Sequence, residues 1–269
     1  MSEADEKPLS VDKSNQKKAL ILYSGGLDST FVTARVAPEF DKLYLVTYIV
    51  PSMYGRKRAL IHLEELRSYC GNEKIVHEYV DLRKLILKIR GGFFRIVRDC
   101  LRYNFAKPLC VGCKIVMHLN TIRYCKTHGI DRVMDGNVRV ESSHALEQRP
   151  PFIERLRGLY RQYGISYESP IYDYNQVDPN EVGKSTMDKL CLTDNRTREK
   201  EELKRMGFTL GTPIGDMHRS IQPQCWMNPP FGLLGVVWKA SDEALMRYTE
   251  DKIQYALSEL GKNLLPDSD

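Results

Sequence analysis

The sequence predicts an α/β protein, a doubly wound parallel sheet followed by a helical C-terminal extension. Three observations carry that expectation. Short apolar runs alternate with helical patterns in the βαβ manner. The first run, Lys18 to Tyr23, opens directly into Ser24-Gly25-Gly26-Leu27-Asp28-Ser29-Thr30, two glycines followed by a stretch able to start a helix. No apolar stretch approaches the ~20 residues of a membrane span, so the apolar runs belong to a core.

Strands are expected over 18–23, 43–50, 75–80, 131–135 and 165–172, and helices over 28–37, 57–69, 92–105, 114–127 and 151–163. Parallel strands joined by helices need cover on both faces and gather ligands at their carboxyl ends. After Pro170 the character changes. Residues 199–206 read as a charged, exposed helix, and 211–215 and 222–230 as loops by their Pro/Gly punctuation. Residues 241–260 read as an amphipathic helix with Ser241 as N-cap and Gly261 at its end. The chain therefore divides into a polar, flexible tail (1–16), an α/β domain (17–175) and an extension (176–269).

With 42% hydrophobic and 28% charged residues among 269, the composition excludes a disordered or membrane class. The tail lacks the apolar core of a signal peptide, which points to a cytoplasmic protein with no membrane partner. A net charge of +5, from 40 basic and 35 acidic residues, admits RNA as a partner without arguing for it. Seven cysteines without an export signal suggest thiols, a metal or a cluster rather than a disulfide frame.

The Ser24–Thr30 segment has its own chemistry. A strand that ends in glycines and begins a helix offers backbone N–H groups and a positive helix end to a phosphate. Ser24, Ser29 and Thr30 add hydroxyls, and Asp28 is placed to hold Mg2+ beside the phosphates. The spacing is not that of the Walker loop. It resembles the PP-loop, Ser-Gly-Gly-x-Asp-Ser, of the ATP pyrophosphatase superfamily. That resemblance implies an enzyme that cleaves ATP between the α- and β-phosphates and adenylylates a carbonyl oxygen.

The second strand ends at Tyr48-Ile-Val-Pro51, whose backbone is the expected partner of an adenine edge. Tyr54-Gly55-Arg56 follows. With Val80-Asp81-Leu82 and Arg149-Pro-Pro-Phe152, it resembles the 7-cyano-7-deazaguanine synthase family, which makes Arg56 a candidate nucleotide or substrate contact. The fourth strand leads into Asp135-Gly136-Asn137-Val138-Arg139-Val140-Glu141. This resembles the Gly-His-Asn-x-Asp-Asp element of the PP-loop tRNA thiolases, with Gly136 matching and Asn137 in place of the histidine. Glu141 then holds the second carboxylate, for general acid/base work or Mg2+.

Cys110-Val-Gly112-Cys113 reads as a turn before a helix starting near Lys114, where a helix end favours anionic sulfur. Zinc, a redox dithiol and an iron–sulfur cluster all use such a pair. Its position between the third and fourth strands resembles that in the iron–sulfur-dependent tRNA 2-thiolation enzymes. The resemblance implies a third ligand downstream, Cys225, with Cys191 as the alternative. Three cysteines suit a [4Fe–4S] cluster with one open iron, since a fully structural cluster takes four. Cys70, Cys100 and Cys125 fall on helical patterns among apolar neighbours and read as core.

Together these readings predict an ATP-dependent sulfurtransferase, acting on a tRNA base or a small heterocycle with a sulfide or persulfide donor. A homodimer is compatible. The alternatives are an amidating or nitrile-forming ligase with zinc on the cysteines, an iron–sulfur desulfidase, and a non-catalytic nucleotide-binding protein. The cysteines and Glu141 are expected to converge at one wall of the ATP cleft.

Overall fold

A computed structural model describes residues 16–51, 53–54, 56–105, 108–139, 145–174, 197–209, 224–225, 238 and 240–260. Five parallel strands form one sheet in the order β4-β2-β1-β5-β6. They are β1 (Lys18–Leu22), β2 (Lys42–Ile49), β4 (Ile75–Asp81), β5 (Arg132–Met134) and β6 (Ser166–Glu168). The order reverses between β1 and β5, so a crevice opens between the loops that leave these two strands. The expected doubly wound sheet is the observed one.

Both faces are covered. One face packs α1 (Leu27–Val36), α2 (Leu63–Cys70) and α7 (Thr197–Arg205) over Ile21, Leu43 and Leu45. The other packs α3 (Arg83–Arg90), α5 (Pro108–His128), α6 (Pro150–Gln162) and α8 (Asp242–Leu260) over Leu20, Val46 and Val133. Helix α4 (Phe93–Tyr103) lies outside α5 and α8. A two-stranded ladder joins β3 (Met53–Tyr54) to β7 (Gln224–Cys225).

Several elements depart from their predicted spans. The helix expected over 57–69 splits into a 3-10 turn, Arg56–Leu60, and α2. Helix α3 was not anticipated, although Ile86 and Ile89 bury one face of it. The last strand stops at Glu168, where Ser169 turns to bond Asp135. Helix α7 is not fully exposed, because Glu199 and Leu203, four residues apart, are buried and the helix packs against α1. Helix α8 begins as expected, with Ser241 Oγ accepting from the Ala244 N–H at 3.1 Å.

The largest correction concerns the cysteine pair. Helix α5 starts at Pro108, six residues before the expected Lys114, so Cys110 and Cys113 lie in its first turns rather than in a loop. Proline is favoured at a first helical position because its missing N–H is not needed there. Gly112 makes no turn; a Cβ on it would stand 2.9 Å from the Tyr248 hydroxyl and 3.1 Å from Arg90 Cγ. Glycine is there so that α3, α5 and α8 can approach closely.

Candidate nucleotide site and cysteine pair

The Ser24–Thr30 loop stands where β1 leaves the sheet and α1 begins. Gly25 has φ +74°, a conformation open to glycine at no steric cost. A Cβ there would also lie 2.3 Å from Ala59 Cα, so the 3-10 turn Arg56–Leu60 rests directly on the loop. The backbone of the basic triplet Arg56-Lys57-Arg58 is thereby held beside the Ser24–Thr30 loop.

The hydroxyls brace this loop from within. Ser24 Oγ accepts from the Gly26 N–H at 3.2 Å, and Ser29 Oγ accepts from the Ser24 N–H at 3.3 Å. Ser29 and Thr30 both donate to the Gly26 carbonyl, at 3.1 and 2.9 Å, and both are buried. Ser24 and Asp28 are half-buried at the crevice. The first N–H groups of α1 have no partner within the helix and point toward the same opening.

Gly136 closes the other side. A Cβ on it would stand 2.9 Å from the Asp28 carbonyl carbon, the Asp28 Cβ and the Ser29 nitrogen. The loops of β1 and β5 therefore meet at the switch point, with Asp28 between them.

Tyr48 buries its side chain away from the crevice, its hydroxyl 2.8 Å from Thr121 Oγ1. Its backbone is what faces the site. Val46 accepts from the Tyr23 N–H at 2.9 Å, and backbone direction repeats every second residue. Tyr48 thus turns its main-chain groups to the β1 side, beyond the point where β1 has ended.

A buried carboxylate not anticipated from the sequence lies beneath Gly136. Asp135, 2% exposed, accepts from Tyr167 Oη (2.6 Å), Ser169 Oγ (2.7 Å), Asn137 Nδ2 (2.6 Å) and the Asn137 N–H (3.2 Å). The Lys114 ammonium stands 3.6 Å from Asp135 and donates to Asn137 Oδ1 at 3.4 Å. Lys114 follows Cys113 directly, so this ion pair ties the cysteine helix to the β5 loop and, through Gly136, to Asp28. The available signal was position: Asp135 is the first residue past the carboxyl end of β5.

Cys110 and Cys113, three apart on α5, share a face and are half-buried. Arg90, itself buried, donates from a guanidinium nitrogen to Cys113 Sγ at 3.3 Å. A guanidinium beside sulfur is a setting that favours thiolate. Cys225 pairs its backbone with Met53, four residues past the end of β2, which puts it on the carboxyl side of the sheet. Glu141 and Cys191 lie outside the described residues. Cys100 and Cys125 are buried as expected, and Cys70 is half-buried.

Among the described residues no three His, Cys, Asp or Glu side chains gather as a metal site. Arg149 has a structural partner, donating to the Ala240 carbonyl at 2.8 Å and pairing with Asp242 at 3.0 Å where α8 begins. No helix among the described residues is long and apolar enough to cross a membrane.

No protein-family model and no curated protein matches the chain. Among solved structures, it is similar to a 4-thiouridine synthetase in complex with RNA and bound ATP, at 14% identity and a TM-score of 0.48. That match covers 91% of this chain and 54% of the synthetase chain, so the present chain spans about half its length. A predicted tRNA methyltransferase subunit from Methanocaldococcus jannaschii matches at 15% identity and a TM-score of 0.40, over 69% of this chain and 76% of that one. NMN synthetase from Francisella tularensis matches at 9% identity and a TM-score of 0.37, over 95% and 90%.

Proposed function

We propose that this chain is a PP-loop ATP pyrophosphatase that adenylylates a carbonyl or ring-amide oxygen. One observation carries the reading: the Ser-Gly-Gly-Leu-Asp-Ser loop stands at the switch point with Gly136 packed against Asp28. The loop N–H groups and the α1 N-terminus bind the ATP phosphates, and the Tyr48 backbone meets the adenine edge. Asp28 is the residue that would hold Mg2+, whose charge neutralises the phosphates when bound. The substrate oxygen attacks the α-phosphorus. The O–P bond forms, the bridge to the β-phosphate breaks, and its electron pair leaves with pyrophosphate. A poor leaving group has then become AMP.

The finer reading is sulfur transfer. Its support is the placement of Cys110 and Cys113 at the top of α5, with Lys114 linking that helix to the β5 loop. In this reading the terminal sulfur of a persulfide on Cys113 attacks the activated carbon; the C–S bond forms and AMP departs with the C–O electron pair. The Cys110 thiolate then attacks Cys113 Sγ, releasing the thio product and leaving a disulfide that an external dithiol reduces. A [4Fe–4S] cluster on Cys110, Cys113 and Cys225 would supply bound sulfide instead. The test is pyrophosphate release from Mg-ATP with bulk tRNA or candidate heterocycles: activity lost in Asp28→Asn is expected, and release of inorganic phosphate alone contradicts the reading.

A further inference from the structure

We propose that the α3–α4 segment docks a single-stranded polynucleotide, which makes RNA the substrate class of the proposed site and rests on that reading. The charge distribution argues first. Between Arg83 and Tyr103 stand seven basic residues and one acid, against 33 and 34 in the rest of the chain. The whole positive excess of this protein sits on two consecutive helices.

Four acids face these cations. Asp81 pairs with Arg83 at 2.6 Å, Glu259 with Lys88 at 2.8 Å, and Asp251 with Arg102 at 3.5 Å. Asp99 is buried and held mainly by Lys252 at 2.8 Å, with Arg98 at 3.7 Å. The side chains of Lys88, Arg98 and Arg102 remain 59%, 63% and 63% exposed. Exposed pairs of this kind hold weakly and exchange readily for a phosphate.

On α4, exposed aromatic rings stand one and two turns before Arg98 and Arg102. Phe93 is 59% exposed and Phe94 88%, their rings edge-to-face with centroids 5.9 Å apart, and Leu101 is 70% exposed. Ile96, Cys100 and Tyr103 bury the opposite side of α4, so the outward set is not core awaiting cover by its own helix. Aromatic rings among arginines are the elements of a sequence-tolerant single-strand platform: rings stack bases, cations track phosphates.

Placement decides between occupants. Arg90, the last residue of α3, bonds Cys113, so the α3–α4 junction lies beside the cysteine pair at the start of α5. A polymer seated on α4 could feed one base to that pair, whereas a vesicle surface could not follow it there. A second copy of the chain would set like charges against each other.

The experiment is fluorescence anisotropy of labelled single-stranded RNA with the full chain, without ATP, across a salt series. Binding is expected to weaken linearly in log salt, with the slope reduced by ~0.7 for each of Arg98→Ala and Arg102→Ala. Phe94→Ala is expected to weaken binding about 5- to 150-fold, the range of one stacked base, while binding of a fluorescent ATP analogue stays unchanged. Absence of RNA binding at low salt, or binding indifferent to all three substitutions, overturns the proposal. So does capture by phosphatidylserine vesicles, or a dimer, that Phe94→Ala abolishes while RNA binding persists. RNA binding without pyrophosphate chemistry leaves the docking surface standing and removes the proposed reaction; the reverse result removes only the surface.

Discussion

Gly136 and Asp28, 108 positions apart in the chain, touch so closely that a methyl group on Gly136 would stand 2.9 Å from Asp28 backbone and Cβ atoms. The Ser24–Thr30 loop and the β5 loop are thus one surface, and its shape depends on a missing side chain.

Gly136→Ala is therefore expected to displace the Asp28 backbone and weaken ATP binding. Overpacking of a tight contact costs ~1–3 kcal/mol, or about 5- to 150-fold in affinity. Titration with a fluorescent ATP analogue measures this, and circular dichroism shows that the fold survives. Unchanged affinity means that the contact does not shape the site.

Asp135 is buried with four hydrogen bonds and an ion pair. Its removal leaves Lys114 and two hydroxyls without their acceptor. Asp135→Ala is expected to lose ~3–5 kcal/mol of stability, the usual effect of breaking a buried pair, read from urea unfolding. Asp135→Asn, which keeps the shape, should lose less. Equal losses would mean that the charge is the whole contribution, and no loss in Asp135→Asn would mean that the charge contributes nothing.

His118 is fully buried against Tyr160, and burial, with Lys114 adding to it, holds its imidazole well below the ordinary value. The folded protein keeps it neutral while the unfolded chain takes a proton below pH ~6.5. Its contribution is complete above that pH and is lost as pH falls toward the folded value, by at most ~1.4 kcal/mol per pH unit. His77, also lowered by burial, acts in the same direction. His118→Gln is expected to flatten the fall in stability between pH 6.5 and 5 by about one proton. An unchanged slope means His118 is not the group.

Burial pushes the Cys125 thiol up to about 12 and the Cys70 thiol to about 11. At pH 8 on the order of one Cys70 in a thousand is thiolate. Iodoacetamide is therefore expected to alkylate Cys110 and Cys113 well before Cys70, Cys100 or Cys125, as peptide mass mapping resolves. Arg90→Met should slow Cys113 selectively. Preferential labelling of Cys70 or Cys125 would contradict the placement of the pair.

What was legible in the sequence was local. Strand, glycines and helix start in Ser24–Thr30 are contiguous, and Gly136 follows its strand directly. Gly112 misled because glycine in a C-x-x-C reads as a turn. Its actual neighbour, Tyr248, is 136 residues away. Lys114 and Asp135 are 21 apart, on a helix and a loop that only the parallel topology joins. In α7 the run of charges hid the Glu199–Leu203 face because propensity and charge say nothing about which neighbour a helix finds. The α3–α4 charge excess was present in the sequence, but the net charge of the whole chain averaged it away.

The nucleotide product tests the central claim most directly. ATP labelled at the α-phosphate, incubated with the full chain, Mg2+ and bulk tRNA, should yield labelled AMP with an equal amount of pyrophosphate, and Asp28→Asn should yield neither. Labelled ADP as the main product, or AMP formation that persists in Asp28→Asn, would contradict cleavage between the α- and β-phosphates at this loop.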